Sequence, residues 1–138
     1  MLEIISGQGM QKMEIKNISE EMLNAPVDSG ANIKIVKLTG NDTLGVFAAE
    51  IAPKSGLNPH YHKYWIETYQ IFKGTGIMKI SELAQDAINW LEEFSVKDGD
   101  CFTIAEGSIH QLINDAELPL QVVFSCPVSH LTHDRHFI

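Results

Sequence analysis

A chain of 138 residues, 44% hydrophobic and 20% charged, is long enough for one domain with one core and too short for two ordinary ones. Its net charge of −8, with a single arginine (Arg135) and nine scattered lysines, argues against nucleic acid, whose phosphates need clustered cations. Two cysteines, Cys101 and Cys126, make no disulfide framework. No apolar run reaches membrane-spanning length, and nothing at the start resembles a signal peptide. The expectation is a reduced, cytoplasmic protein with no nucleic-acid or membrane partner. Met10 and Met13 follow Met1 closely, which allows a later translational start.

In chain order, Ile18 to Leu23 predicts a short helix with Ser19 as N-cap. Strands are then predicted at Ile33–Leu38, Leu44–Ile51 and Tyr69–Phe72. A turn at Lys73-Gly74-Thr75-Gly76 leads into Ile77–Ile80. Ser81 to Phe94 is ambiguous. Leu83, Ala87, Leu91 and Phe94 fall near helical spacing, whereas Leu91 to Val96 suits a strand; a short helix over 82–88 followed by a strand is expected. Cys101–Ile104, Ile109–Ile113 and Leu120–Ser125 complete the strands. Glycine and proline punctuate the apolar runs at short intervals, with no repeat and no linker, so the fold class is all-β, a sandwich or barrel.

The chemistry-bearing residues fall in two clusters. In a strand, alternate residues share a face, so His60 and His62 point the same way, and Glu67, Tyr69 and Ile71 share a face on the next strand. Lys63 to Ile66 is long enough to turn the chain and bring Glu67 back. His110 follows the turn Ala105-Glu106-Gly107-Ser108 and can complete the set from across a barrel. Three imidazoles and a carboxylate suit Fe, Mn, Ni, Co or Zn as a divalent ion, with two octahedral positions left over.

These residues resemble the two motifs of the small single-domain cupins. Gly56, His60, His62, Glu67 and Gly74 match the first, with three residues after Gly56 where the family usually has five. Gly99, Gly107, His110 and Asn114 match the second, with Ala105 where the family has proline. The motifs stand 24 residues apart and the resemblance covers about residues 44–126. It implies a double-stranded β-helix, or jelly-roll, barrel with the metal inside. The domain is a single one over 1–138, with an N-terminal arm (1–30) and a C-terminal tail (127–138). It also implies a homodimer, often with exchanged N-terminal strands.

Around the expected metal ligands His60, His62, Glu67 and His110, Tyr64 and Tyr69 are candidates to position or protonate a substrate. Trp65, Met78 and Asn114 are candidates to line its pocket. Cys101 is expected as a buried, inert thiol. His130, His133 and His136 are spaced by three, as on one side of a helix. A polar tail folded over the barrel mouth is the simpler reading. The expected function is that of a metal-dependent enzyme acting on a small oxygen-rich molecule or using dioxygen, of dioxygenase, decarboxylase or sugar-phosphate isomerase type. The alternative is a non-catalytic small-molecule binder or sensor.

Overall fold

The structure is a computed structural model describing residues 12–84 and 87–138. One helix, α1 (Ile18–Leu23), precedes the strands β1 (Val27–Asp28), β2 (Ile33–Gly40), β3 (Gly45–Ile51), β4 (Ser55–Gly56), β5 (His60–Tyr61) and β6 (Glu67–Lys73). They are followed by β7 (Thr75–Ala84), β8 (Ala87–Lys97), β9 (Cys101–Ile104), β10 (Ile109–Asn114), β11 (Leu120–Cys126) and β12 (His136–Phe137), with a 3-10 turn at Val128–Leu131 before β12. Two antiparallel sheets face each other. The first runs β1-β2-β3-β11-β6-β9, the second β12-β5-β10-β7-β8, with β4 also on β10. From β8 onward each strand crosses to the opposite sheet, and this winding is the double-stranded β-helix.

Alternation fills the space between the sheets. Leu120, Val122, Phe124 and Cys126 of β11 turn inward, against Phe47, Ala49 and Ile51 of β3 and Tyr69 and Ile71 of β6. Phe124 stacks between Phe47 and Tyr69, with ring centroids 5.2 and 5.7 Å away. On the outer face, Met22 of α1 packs on Leu38 and Ala48, so β3 is covered on both sides. The cap of α1 is Asn17, not Ser19. The Asn17 side chain accepts the Glu20 N–H at 3.0 Å, and the helix starts at the next residue, Ile18.

The expected helix over 82–88 does not form in the described residues of that stretch. β7 and β8 pair as a hairpin out to Ala84 opposite Ala87, with residues 85–86 outside the described set. A bulge after Ile80 shifts the register by one residue, and the Ser81 hydroxyl donates to the Asn89 carbonyl and accepts its N–H. A long cross-strand ladder outweighs a short helix whose nucleation alone is costly. Leu91 and Phe94, half of the apparent helical stripe, lie on the exposed part of this ribbon. The helical spacing of His130, His133 and His136 is not realised; a 3-10 turn and β12 stand there. The tail folds back as read, with His136 and Phe137 pairing Tyr61 and His60.

Candidate metal centre

The three imidazoles of the two motifs meet inside the barrel at one end. His60 and His110 are cross-strand partners in the β5–β10 pair, with ring centroids 4.3 Å apart. His62, one residue past β5, lies 5.1 Å from His60 and 5.5 Å from His110. The Gly107 N–H donates to the His62 carbonyl at 2.8 Å, which ties the turn before β10 to the first motif. Gly107 sits at φ +75°, a conformation that glycine adopts without strain.

Each ring is aimed by the same device. Nδ1 of His60 faces the Asn58 carbonyl at 2.8 Å, Nδ1 of His62 the Asp134 carbonyl at 2.6 Å, and Nδ1 of His110 the Ser108 carbonyl at 3.1 Å. A carbonyl only accepts, so each Nδ1 carries the proton and each Nε2 presents a lone pair. Nε2 of His62 and Nε2 of His110 are fully buried with no hydrogen-bond partner. They stand 3.2 and 3.8 Å from the two oxygens of Glu67, close in distance but not aligned for hydrogen bonds. Buried lone pairs facing a buried carboxylate repel unless a cation lies among them. Burial, and then the neighbouring His110, push the pKa of His60 down to about 3, so its ring is neutral and free to ligate.

This donor set fits a transition ion. One ligand atom from each of His60, His62 and His110 lies within 4.8 Å of the others, a span that bonds of about 2.1 Å close with small side-chain shifts. The ring planes cross at 77°, 57° and 46°, so their lone pairs can converge. Glu67 touches the set through His62 and His110, and is grouped with His62 and His130 rather than with His60. It sits at the inward start of β6. Burial opposes its ionisation, but the Nδ1–H of His130 at 2.9 Å favours the carboxylate, and its pKa lies well below the usual range.

His130 is the residue that sequence reasoning left without a role. It is fully buried. Its Nδ1 lies 2.9 Å from Glu67 Oε2 and its Nε2 2.6 Å from the Tyr64 carbonyl. Both neighbours are acceptors, so both nitrogens donate and the ring is a cation. Burial works against that charge; Glu67 and the Tyr64 carbonyl overcome it and raise the pKa. The tail adds Asp134, whose carboxylate accepts the N–H groups of Lys63 and Tyr64 at 2.8 and 3.0 Å. These contacts pin the turn between His62 and Glu67, where Trp65 is held at φ +71°, a strained conformation for a bulky side chain.

The other expected site residues are dispersed. Tyr69 is buried and lines the cavity beside the histidines; burial first, then the Glu67 carboxylate, raise its phenol well above the usual range. Tyr64 and Trp65 point outward, 64% and 65% exposed, because the backbone of their turn is what faces the site. Met78 is buried but borders a separate cleft with Phe94, Phe102 and Ile104. Asn114 is spent on the β10–β11 turn, donating to the carbonyls of Ile51, Ala52 and Leu118 and accepting the Ala116 N–H. Cys101, expected to be buried, is exposed on the edge strand β9; it and Cys126 are free thiols. The cavity beside the histidines is about 20 Å³, with apolar walls from Ala31, Ile33, Ala49, Leu57, Val122 and Phe124. Arg135 at its rim is ion-paired with Asp28.

A double-stranded β-helix that gathers three inward imidazoles along one strand pair, β5 with β10, is a defined class of barrel. By its fold the chain is a cupin. It is similar to a Cupin 2 conserved barrel domain protein from Salinispora arenicola, with a TM-score of 0.62 at 18% identity over 83% of this chain and 88% of that one. In sequence it is 32% identical over 104 residues to germin-like protein 12-1 of Oryza sativa subsp. japonica. That match takes in 71% of this chain but 45% of the rice protein, so the chain spans under half of this relative's length. It is also 28% identical over 114 residues to an uncharacterized protein of Aquifex aeolicus, covering 83% of this chain and 84% of that protein. No family model matches. Among the described residues no helix is long and apolar enough to cross a membrane.

Proposed function

We propose that the chain is a metal-dependent enzyme that binds one divalent transition ion through Nε2 of His60, His62 and His110, with Glu67 supplying a carboxylate oxygen. The observation that carries this reading is the pair of unpartnered buried nitrogens, His62 Nε2 and His110 Nε2, beside that carboxylate. When bound, such an ion supplies Lewis-acid or redox chemistry to a small molecule. The chain's own residues do the rest. The backbone carbonyls at 58, 108 and 134 keep the three protons on Nδ1 and the lone pairs inward. Apolar walls exclude water and favour a compact substrate. Tyr69 keeps its proton and is the group able to donate it, or a hydrogen bond, at the cavity wall.

Among the reaction types that cupins carry out, this lining favours oxidation or decarboxylation of a small oxygen-bearing molecule over sugar-phosphate isomerisation. A phosphate would need a free cation, and the arginine at the rim is already paired with Asp28. A second reading, binding without turnover, is favoured by the cavity volume of about 20 Å³, which holds little beyond one water-sized occupant. Elemental analysis of protein purified without added metal, followed by oxygen-uptake and decarboxylation assays on the metal-loaded form, tests the proposal. One equivalent of a transition metal with turnover supports the enzyme. One equivalent with calorimetric ligand binding and no turnover supports the binder. No metal under any loading condition removes both. Association as a homodimer belongs to the same proposal; Met13 and Ile15, 85% and 90% exposed, suit it, and light scattering would give twice the 15.4 kDa chain mass.

A further inference from the structure

The buried ring of His130 is the largest polar group near the site that neither motif accounts for. Two roles are open to an imidazole there. It could be a further ligand, since His62, Glu67 and His130 place ligand atoms within 4.8 Å of one another. Or it could hold Glu67 in place. Ring geometry separates the two. A ligating imidazole keeps the ion close to its own plane. The rings of His62 and His130 are stacked with centroids 4.0 Å apart and an interplanar angle of 0°. Parallel stacked planes share no point, so the two rings cannot both ligate one ion. Both His130 nitrogens are also already aimed at oxygen acceptors, Glu67 Oε2 at 2.9 Å and the Tyr64 carbonyl at 2.6 Å.

We propose that His130 is a positioning residue: bound at one end to the Tyr64 carbonyl, it directs an N–H at Glu67 Oε2 and thereby holds the carboxylate in its orientation beside His62 and His110. The stacked ring also backs His62, so one side chain from the tail steadies two members of the site. This rests on the metal reading above, and the test separates the two.

Wild type and His62→Ala are first titrated with Co(II). One equivalent bound by wild type and a severe loss in the variant are what the metal reading requires; no binding by wild type defeats that reading before His130 is reached. His130→Phe then keeps a flat ring against His62 and removes both donors, whereas His130→Gln keeps a donor. The expected result is at least a tenfold loss of Co(II) affinity in His130→Phe with altered visible bands, and recovery of most of the wild-type spectrum in His130→Gln. Superimposable spectra for wild type and His130→Phe overturn the proposal. Should His130→Phe fail to fold, nitrogen-15 spectra of the wild-type imidazoles decide. Both His130 ring N–H signals persist in the Zn(II)-loaded protein if the residue positions Glu67. Loss of the Nδ1–H signal on zinc binding makes His130 a ligand and overturns it.

Discussion

The barrel's motif histidines and the tail's His130 are the same side chain under opposite instructions. His60, His62 and His110 each face one backbone carbonyl through Nδ1. His130 faces two acceptors, one of them a carboxylate. The number of acceptors around a buried ring decides how many protons it carries, and so whether it offers a lone pair or a charge. Burial favours the neutral ring in both His60 and His130. In His130 a carboxylate and a carbonyl outweigh burial; in His60 nothing does.

The largest break in this contrast comes from removing a lone pair. His62→Ala is expected to weaken Co(II) or Zn(II) binding by a thousandfold or more, about 4 kcal/mol, with far-UV circular dichroism unchanged. Retained stoichiometric metal, read by plasma emission after dialysis, would contradict it. Next is the support of the turn. Asp134→Ala strands the buried-facing N–H groups of Lys63 and Tyr64 and is expected to destabilise the metal-free protein by about 3 kcal/mol in urea. A change under about 0.5 kcal/mol would mean the turn holds itself.

Acid provides the smallest and most direct comparison. The pKa of His60 is depressed to about 3 in the fold, against about 6.5 unfolded. Its contribution is therefore full above pH 6.5 and drains away as pH falls toward 3. Between pH 7 and 5 the loss is about 2 kcal/mol in the metal-free protein. His130, raised in the fold, runs the other way: its contribution is full below its unfolded pKa and is lost as pH rises through the folded one. Urea midpoints at pH 7 and 5 should consequently show a flatter acid loss in His60→Asn and a steeper one in His130→Gln than in wild type. Identical slopes in all three would show that neither ring is held as described.

Why the motif ligands were legible and His130 was not follows from range. His60, His62 and Glu67 sit within eight residues of one another, where strand alternation and a four-residue turn nearly dictate the geometry. His110 was reachable because its turn carries a recognisable glycine pattern. His130 meets Glu67 across 63 residues, and nothing near it in sequence states that a tail will close over β5 and β6. Its spacing with His133 and His136 suggested a helix, but the backbone there is committed to pairing β12 with β5. Leu83 to Phe94 misled for a different reason, since Leu83 pairs with Ile88 across the hairpin and the apolar spacing runs over two strands rather than one helix face. Asn114, read as a pocket candidate, fastens the β10–β11 turn instead, which explains why that position takes a side chain with two donors and an acceptor.

The outermost stretch of the polypeptide supplies the carbonyl that orients His62, the carboxylate that pins the next turn, and the cation beside Glu67. The histidine cluster deep in the roll is thus shaped from its rim. Cleavage before Asp134, or a perturbation that peels β12 away, would loosen that cluster without ever entering the interior.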